Sequence, residues 1–149
     1  MEDDLDNILN EYETKKDQEK RRQDEETESL QQAAAAKQAT FKKYADEIIL
    51  PILRKHEATL KGKGYPVKIT NSLLTLPGYG EFYEHITFDF GIHKSTDDLL
   101  CHIAFQSAEA PNISITFTDR YSPNKTTCEA TEFAIQDRLL AFFKKTFRE

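Results

Sequence analysis

Asp89, His102 and Thr116 are the residues whose types and spacing come nearest to a chemical site. They fall in three consecutive stretches where apolar and polar residues alternate. If Ile92 faces Leu99 across a hairpin, Asp89 faces His102, and a matching second hairpin sets Thr116 beside the same histidine. A carboxylate orienting an imidazole that acts as base toward a hydroxyl is the logic of an acid, base and hydroxyl relay. The same residue types are ordinary on the wet face of a sheet, and a flat face offers neither a water-excluding pocket nor oxyanion donors. The sequence therefore points away from an enzyme, with the exposed Asp89, His102 and Thr116 row as the enzymatic alternative.

His85, His93 and His102 beside Asp89 raise the question of a metal. Residues four apart on one strand stand roughly 13 Å apart, too far for His85 and Asp89 to share one ion. No metal and no other cofactor is expected. His56 falls on the apolar face of a helix and reads as a boundary histidine. Gly62-Lys63-Gly64 and Pro77-Gly78-Tyr79-Gly80 lack the spacing and following helix of a phosphate loop, so they read as a helix stop and a turn. Tyr79, Phe82 and Tyr83 gather near that turn as an aromatic contact patch.

A stronger lead lies near the N-terminus. Leu5, Ile8, Leu9 and Tyr12 recur at helical spacing among Asp3, Asp4, Asp6 and Glu11, which predicts a short amphipathic helix with a dipole-favourable acidic start. Helix-in-groove recognition uses anchors at this spacing. These four residues are the predicted partner-binding site.

The elements that carry these residues follow from periodicity. Residues 13–29 contain no aliphatic or aromatic side chain, so the seam of a coiled coil is missing and the isolated arm is expected to be a marginal helix or disordered. Gln31 to Thr40 has high helix propensity and runs without Gly or Pro into Phe41. Phe41, Tyr44, Ala45, Ile48, Ile49, Ile52, Leu53, His56 and Leu60 then form an apolar stripe, with a kink expected at residues 47–50 because Pro51 removes a donor.

From Tyr65 the period changes to two. Val67 and Ile69, extended by Leu73 to Leu76, suggest a first strand, and Phe82, Ile86, Phe88, Phe90 and Ile92 define a second in which Glu84 is the exception on the apolar side. Leu99 to Phe105 and Ile113 to Phe117 supply the third and fourth. A polar loop is expected from Arg120 to Lys125. Thr126 with Glu129 has the form of a capping box that would open the last helix, whose apolar residues Phe133, Ile135, Leu139, Leu140, Phe142, Phe143 and Phe147 would lie on the sheet. Phe142, Phe143 and Phe147 exceed what one small sheet is expected to cover, which suggests a homo-oligomer.

The predicted fold is α+β, a four-stranded antiparallel meander with two helices on one face in the order α-β-β-β-β-α, preceded by a long charged N-terminal helix. Two segments are expected, an acidic arm at 1–32 and a domain at 33–149. The arm holds twelve acids and five bases, a net of −7, and the remainder fourteen acids and fifteen bases, a net of +1. A near-neutral domain with an acidic arm lacks the footprint that phosphate backbones require, so no nucleic acid is expected. No window approaches the ~18 apolar residues of a membrane span, and there is no secretory h-region, which predicts a cytoplasmic location with no membrane contact. Cys101 and Cys128 read as reduced thiols.

These features predict a non-enzymatic adaptor or assembly subunit that binds protein partners. The alternative is a small acidic immunity or antitoxin-like protein that neutralises a basic partner.

Overall fold

Fifty residues pass before the first proline or glycine, and helix formers dominate them. The computed structural model describes residues 2–119 and 122–148, with side chains from Asp4 onward. The Asp3 side chain and Arg120, where the polar loop is expected to begin, lie outside the described residues. Helix α1 spans Glu2–Tyr44. The chain divides into two compact units, Met1–Ala35 and Ala36–Glu149.

In the first unit the described side chains are exposed almost throughout, and Thr14 Oγ1 donates to the Asn10 carbonyl at 2.8 Å. No apolar seam runs through residues 13–29, so helical propensity and charge pairing carry this stretch.

In the second unit Pro51 cannot donate a hydrogen bond to the Glu47 carbonyl and its ring crowds that group. The helix adapts at the expected place with a π turn at Ala45–Ile49, in which the Leu50 N–H reaches the Ala45 carbonyl. Helix α2, Leu50–Gly62, continues with the proline in its first turn. It stops where Gly64 takes a φ of +90°, and the Tyr65 N–H bonds back to the Leu60 carbonyl at 2.9 Å.

Five antiparallel strands follow in sequential order: β1 Val67–Leu76, β2 Gly80–Phe90, β3 Cys101–Ser107, β4 Asn112–Thr118 and β5 Pro123–Glu129. The α+β class matches expectation, but the strand count is five, not four. The predicted capping box of Thr126 and Glu129 lies inside β5, where Thr126 pairs with Ile115 and Cys128 with Ile113. Threonines that suit a helix cap also suit a strand, and pairing with β4 decides the outcome. The last helix, α3, is Glu132–Arg148. Its actual cap is Thr131, whose Oγ1 accepts from the Ala134 N–H at 3.2 Å.

Glu84, the exception in the β2 pattern, is the extra residue of a bulge: Ser72 pairs with His85 and the next pair is Leu73 with Tyr83. The bulge reverses the parity of the strand, so Tyr83 joins the inner face in place of Glu84. That turns its hydroxyl toward the π turn, where it donates to Asp46 Oδ1 at 2.8 Å.

Ile86, Phe88, Phe90, Ile103, Phe105, Ile113 and Ile115 share the inner face and are fully buried. They form one cluster with Phe41, Ala45, Ile49 and Leu53 from the first helices and with Ile135 and Leu139 from α3. Each such large side chain contributes about 1.5–3 kcal/mol on burial. The stripe expected on α3 divides in two. Phe142 packs on Phe117 and Phe143 on Phe88 and Phe90, and Phe147 stacks on Phe90 at 5.8 Å while staying partly exposed. The sheet therefore meets all three rings, whereas Phe133 and Leu140 are exposed. Among the described residues no helix is long and apolar enough to cross a membrane.

Candidate functional site

Strand register brings part of the expected polar row together. Asp89 stands opposite His102 across the β2–β3 ladder, and the His102 Nδ1 bonds to the Asp89 carboxylate. Thr116 is not beside this pair. It pairs with Ala104, and Thr118 is the residue opposite His102. The β3–β4 connection is looser than assumed, with Ser107 and Ile113 as its last pair, and the Asn112 N–H turns back to the Glu109 carbonyl at 2.9 Å. A slip of two residues leaves every side chain on its predicted face and changes only its neighbour. On the other side of Asp89 the register places Lys68, so the row reads Lys68, Asp89, His102, Thr118.

With Nδ1 directed at the carboxylate, the imidazole is held in one orientation. The pair is partly exposed, with the His102 side chain retaining 42% and the Asp89 side chain 20% of their accessible surface. Strand β3 lies between β2 and β4, so its backbone N–H groups serve the two ladders and supply none for an oxyanion. What the geometry offers is a charged and hydroxylic strip suited to polar contact.

The remaining histidines sort individually. His56 Nε2 donates to Gln136 Oε1 at 2.8 Å, and its ring meets Phe143 edge-on at 5.2 Å, which ties α2 to α3. Among the described residues no three His, Cys, Asp or Glu side chains gather as a metal site. Cys101 and Cys128 are both buried, and desolvation raises the Cys128 thiol above its ordinary value while the nearby Arg138 charge partly opposes that rise.

The N-terminal anchors present the sharper physical anomaly. Leu5, Ile8, Leu9 and Tyr12 are 47–62% exposed and occupy one stripe of α1. Asp4 and Glu11 lie along one margin of the stripe and Asp6 and Glu13 along the other at ~100° per residue. Leaving four such side chains in water forgoes much of the ~1.5–3 kcal/mol that each contributes on burial.

Two features escaped the sequence reading. The Tyr83–Asp46 bond depends on the bulge, which only the Glu84 exception hinted at. The hydrogen bond to Asp46 raises the tyrosine above its ordinary value, burial and the Asp46 charge add to this, and Arg54 opposes it. The exposed stripe of α3 was merged with its core-facing stripe because both are apolar.

No family model matches the chain, and no curated protein or solved structure matches it either.

Proposed function

We propose that this chain is a non-enzymatic protein–protein interaction protein, an adaptor or assembly subunit that docks through the acidic amphipathic start of α1 while its α+β domain engages a further macromolecule. The observation that supports this reading is the exposed row Leu5, Ile8, Leu9 and Tyr12, flanked on both margins by carboxylates. Such a row is apolar enough to fill a groove and charged enough to stay dissolved without one. The Asp89–His102 strip is partly exposed on the sheet's outer face and suits the domain's own polar contact.

The test compares capture of cell proteins by the full chain and by the double variant Leu5→Ala, Leu9→Ala. Truncating two central anchors should weaken a partner held by this stripe about 100-fold. Identical retention of every captured protein by the two chains would overturn the reading.

A second reading draws on the charge of residues 1–32, twelve acids against five bases. In it the segment neutralises a basic partner, as immunity or antitoxin-like proteins do. Affinity that collapses with added salt while tolerating Leu5→Ala and Leu9→Ala favours this second reading over the first.

A further inference from the structure

Among the described residues, most exposed large hydrophobic side chains fall into two ordered stripes. One is Leu5, Ile8, Leu9 and Tyr12 on α1, and the other is Phe133, Leu140 and Phe147 on α3. The second stripe has a spacing of seven residues, which sets its members along one line of an α-helix. Phe133 retains 83% of its accessible surface and Leu140 47%. Neither is held by the sheet, which takes Ile135, Leu139, Phe142 and Phe143 from an adjoining face of the same helix. Phe147, at the end of the stripe, rests one side of its ring on Phe90 and Tyr65 and keeps 39% of its surface exposed.

The charges around the stripes are complementary. Residues 4–13 hold four acids and no base, whereas residues 138–148 hold four bases and no acid. Glu132 and Asp137, the acids of α3, both lie toward Phe133, so the favourable half of the helix runs from Leu140 to Phe147. Lys144 and Arg148 follow one margin of that half. Because the α1 stripe has carboxylates on both margins, it meets these bases whichever way it rolls.

We propose that the exposed face of α3 receives residues Leu5–Tyr12 of a second copy of this chain. The two helices lie antiparallel, with Leu5 beside Phe147 and Tyr12 beside Leu140. Seven residues separate the members of each pair along their own helix, so the two anchor spacings agree. The antiparallel sense also sets the positive N-terminal end of α1 against the negative C-terminal end of α3, a favourable pairing of helix dipoles. This contact rests on reading Leu5–Tyr12 as a docking element, and it names the partner as the protein itself.

Charge reversal in two full-length chains tests it by sedimentation velocity. One chain carries Lys144→Glu with Arg148→Glu, and the other Asp6→Lys with Glu11→Lys, one from each margin of the stripe. The wild type should associate as its concentration rises, and each variant alone should associate at least about tenfold more weakly. An equimolar mixture should regain wild-type association, because the unaltered acidic helix of one chain then meets the unaltered basic helix of the other. Leu140→Ala, which removes nothing from the core, should weaken association by about tenfold as well.

A wild type that remains monomeric at every concentration overturns the contact, as does association that neither charge variant alters. A mixture that fails to recover overturns it too. None of these outcomes touches the capture experiment with Leu5→Ala and Leu9→Ala, so failure of the self-contact and failure of the docking reading are separable.

Discussion

Replacing Gly91 with alanine should destabilise the second unit by about 3 kcal/mol. The residue follows β2, and its N–H donates to the Pro66 carbonyl at 3.0 Å. A Cβ built there would stand 2.3 Å from the Asp98 carbonyl oxygen and 2.6 Å from the Pro66 Cγ. Both obstacles are stiff: one is backbone and the other a ring held by the hydrogen bond from Gly91 itself. An added methyl must therefore push the β2–β3 connection outward or break that bond. Overpacking costs about 1–3 kcal/mol, and loss of the hydrogen bond about 1 kcal/mol more.

For a unit of 114 residues, Ala36–Glu149, each kcal/mol moves the melting temperature by about 4 °C, so a fall of roughly 10 °C is expected. The matched control is Gly62→Ala at the end of α2, where an added Cβ meets nothing within 4 Å. That change should stabilise by about 0.5–1 kcal/mol. Thermal unfolding followed by circular dichroism and urea titration read the two variants side by side. If Gly91→Ala and Gly62→Ala melt within about 2 °C of one another, the close approach of Pro66 and Asp98 does not constrain the chain and the reasoning fails.

Thr131→Ala should cost about 1 kcal/mol in urea unfolding by removing the cap of α3, whereas Thr126→Ala, at the residue that only resembles a cap, should leave the start of that helix intact by amide hydrogen exchange. Ser114 is buried with no hydrogen-bond partner for its hydroxyl oxygen among the described residues, so Ser114→Ala should be neutral or stabilising by up to about 1 kcal/mol; a loss larger than that would reveal a bond the hydroxyl makes. For Asp89 and His102, a double-mutant cycle with alanine should give a coupling of about 1 kcal/mol or less that shrinks with salt, since water still reaches both side chains. The raised Tyr83 favours the protonated phenol in the folded state, so its contribution is complete below the ordinary tyrosine value near ~10 and fades as pH rises through the folded value. Tyr83→Phe should therefore flatten the alkaline loss of stability; an unchanged pH profile would contradict the sign.

Strong periodicity made most of the fold legible. The α1–α2 stripe and, apart from Tyr83 at the bulge, the inner faces of β1–β4 follow from spacings of three, four and two. A kink ahead of Pro51 follows from its missing donor, although the form it takes, a π turn, does not. β5 did not, because Asn124-Lys125-Thr126-Thr127 at a sheet edge has little apolar alternation to display. Such an edge is kept polar, with Pro123 and Lys125 discouraging further pairing, and that same polarity made it resemble a loop and a cap. The Asp89–His102 contact was legible because hairpin register followed from matching apolar residues across a turn. Thr116 was misplaced because the length of the β3–β4 connection depends on local backbone turns that side-chain pattern does not encode. The α1 anchors were visible as a stripe, but the α3 stripe was hidden within a broader apolar face, since hydrophobic type alone does not say which side meets the sheet.

The rings of Phe142 and Phe143 close over Phe88, Phe90 and Phe117, and they belong to an element that is translated after all five strands. Until α3 emerges, a nascent chain carries a finished meander with a bare aromatic floor, the kind of surface that recruits chaperones or other unfinished copies. A stop codon anywhere before Glu132 should thus yield an aggregating fragment rather than a shortened working protein.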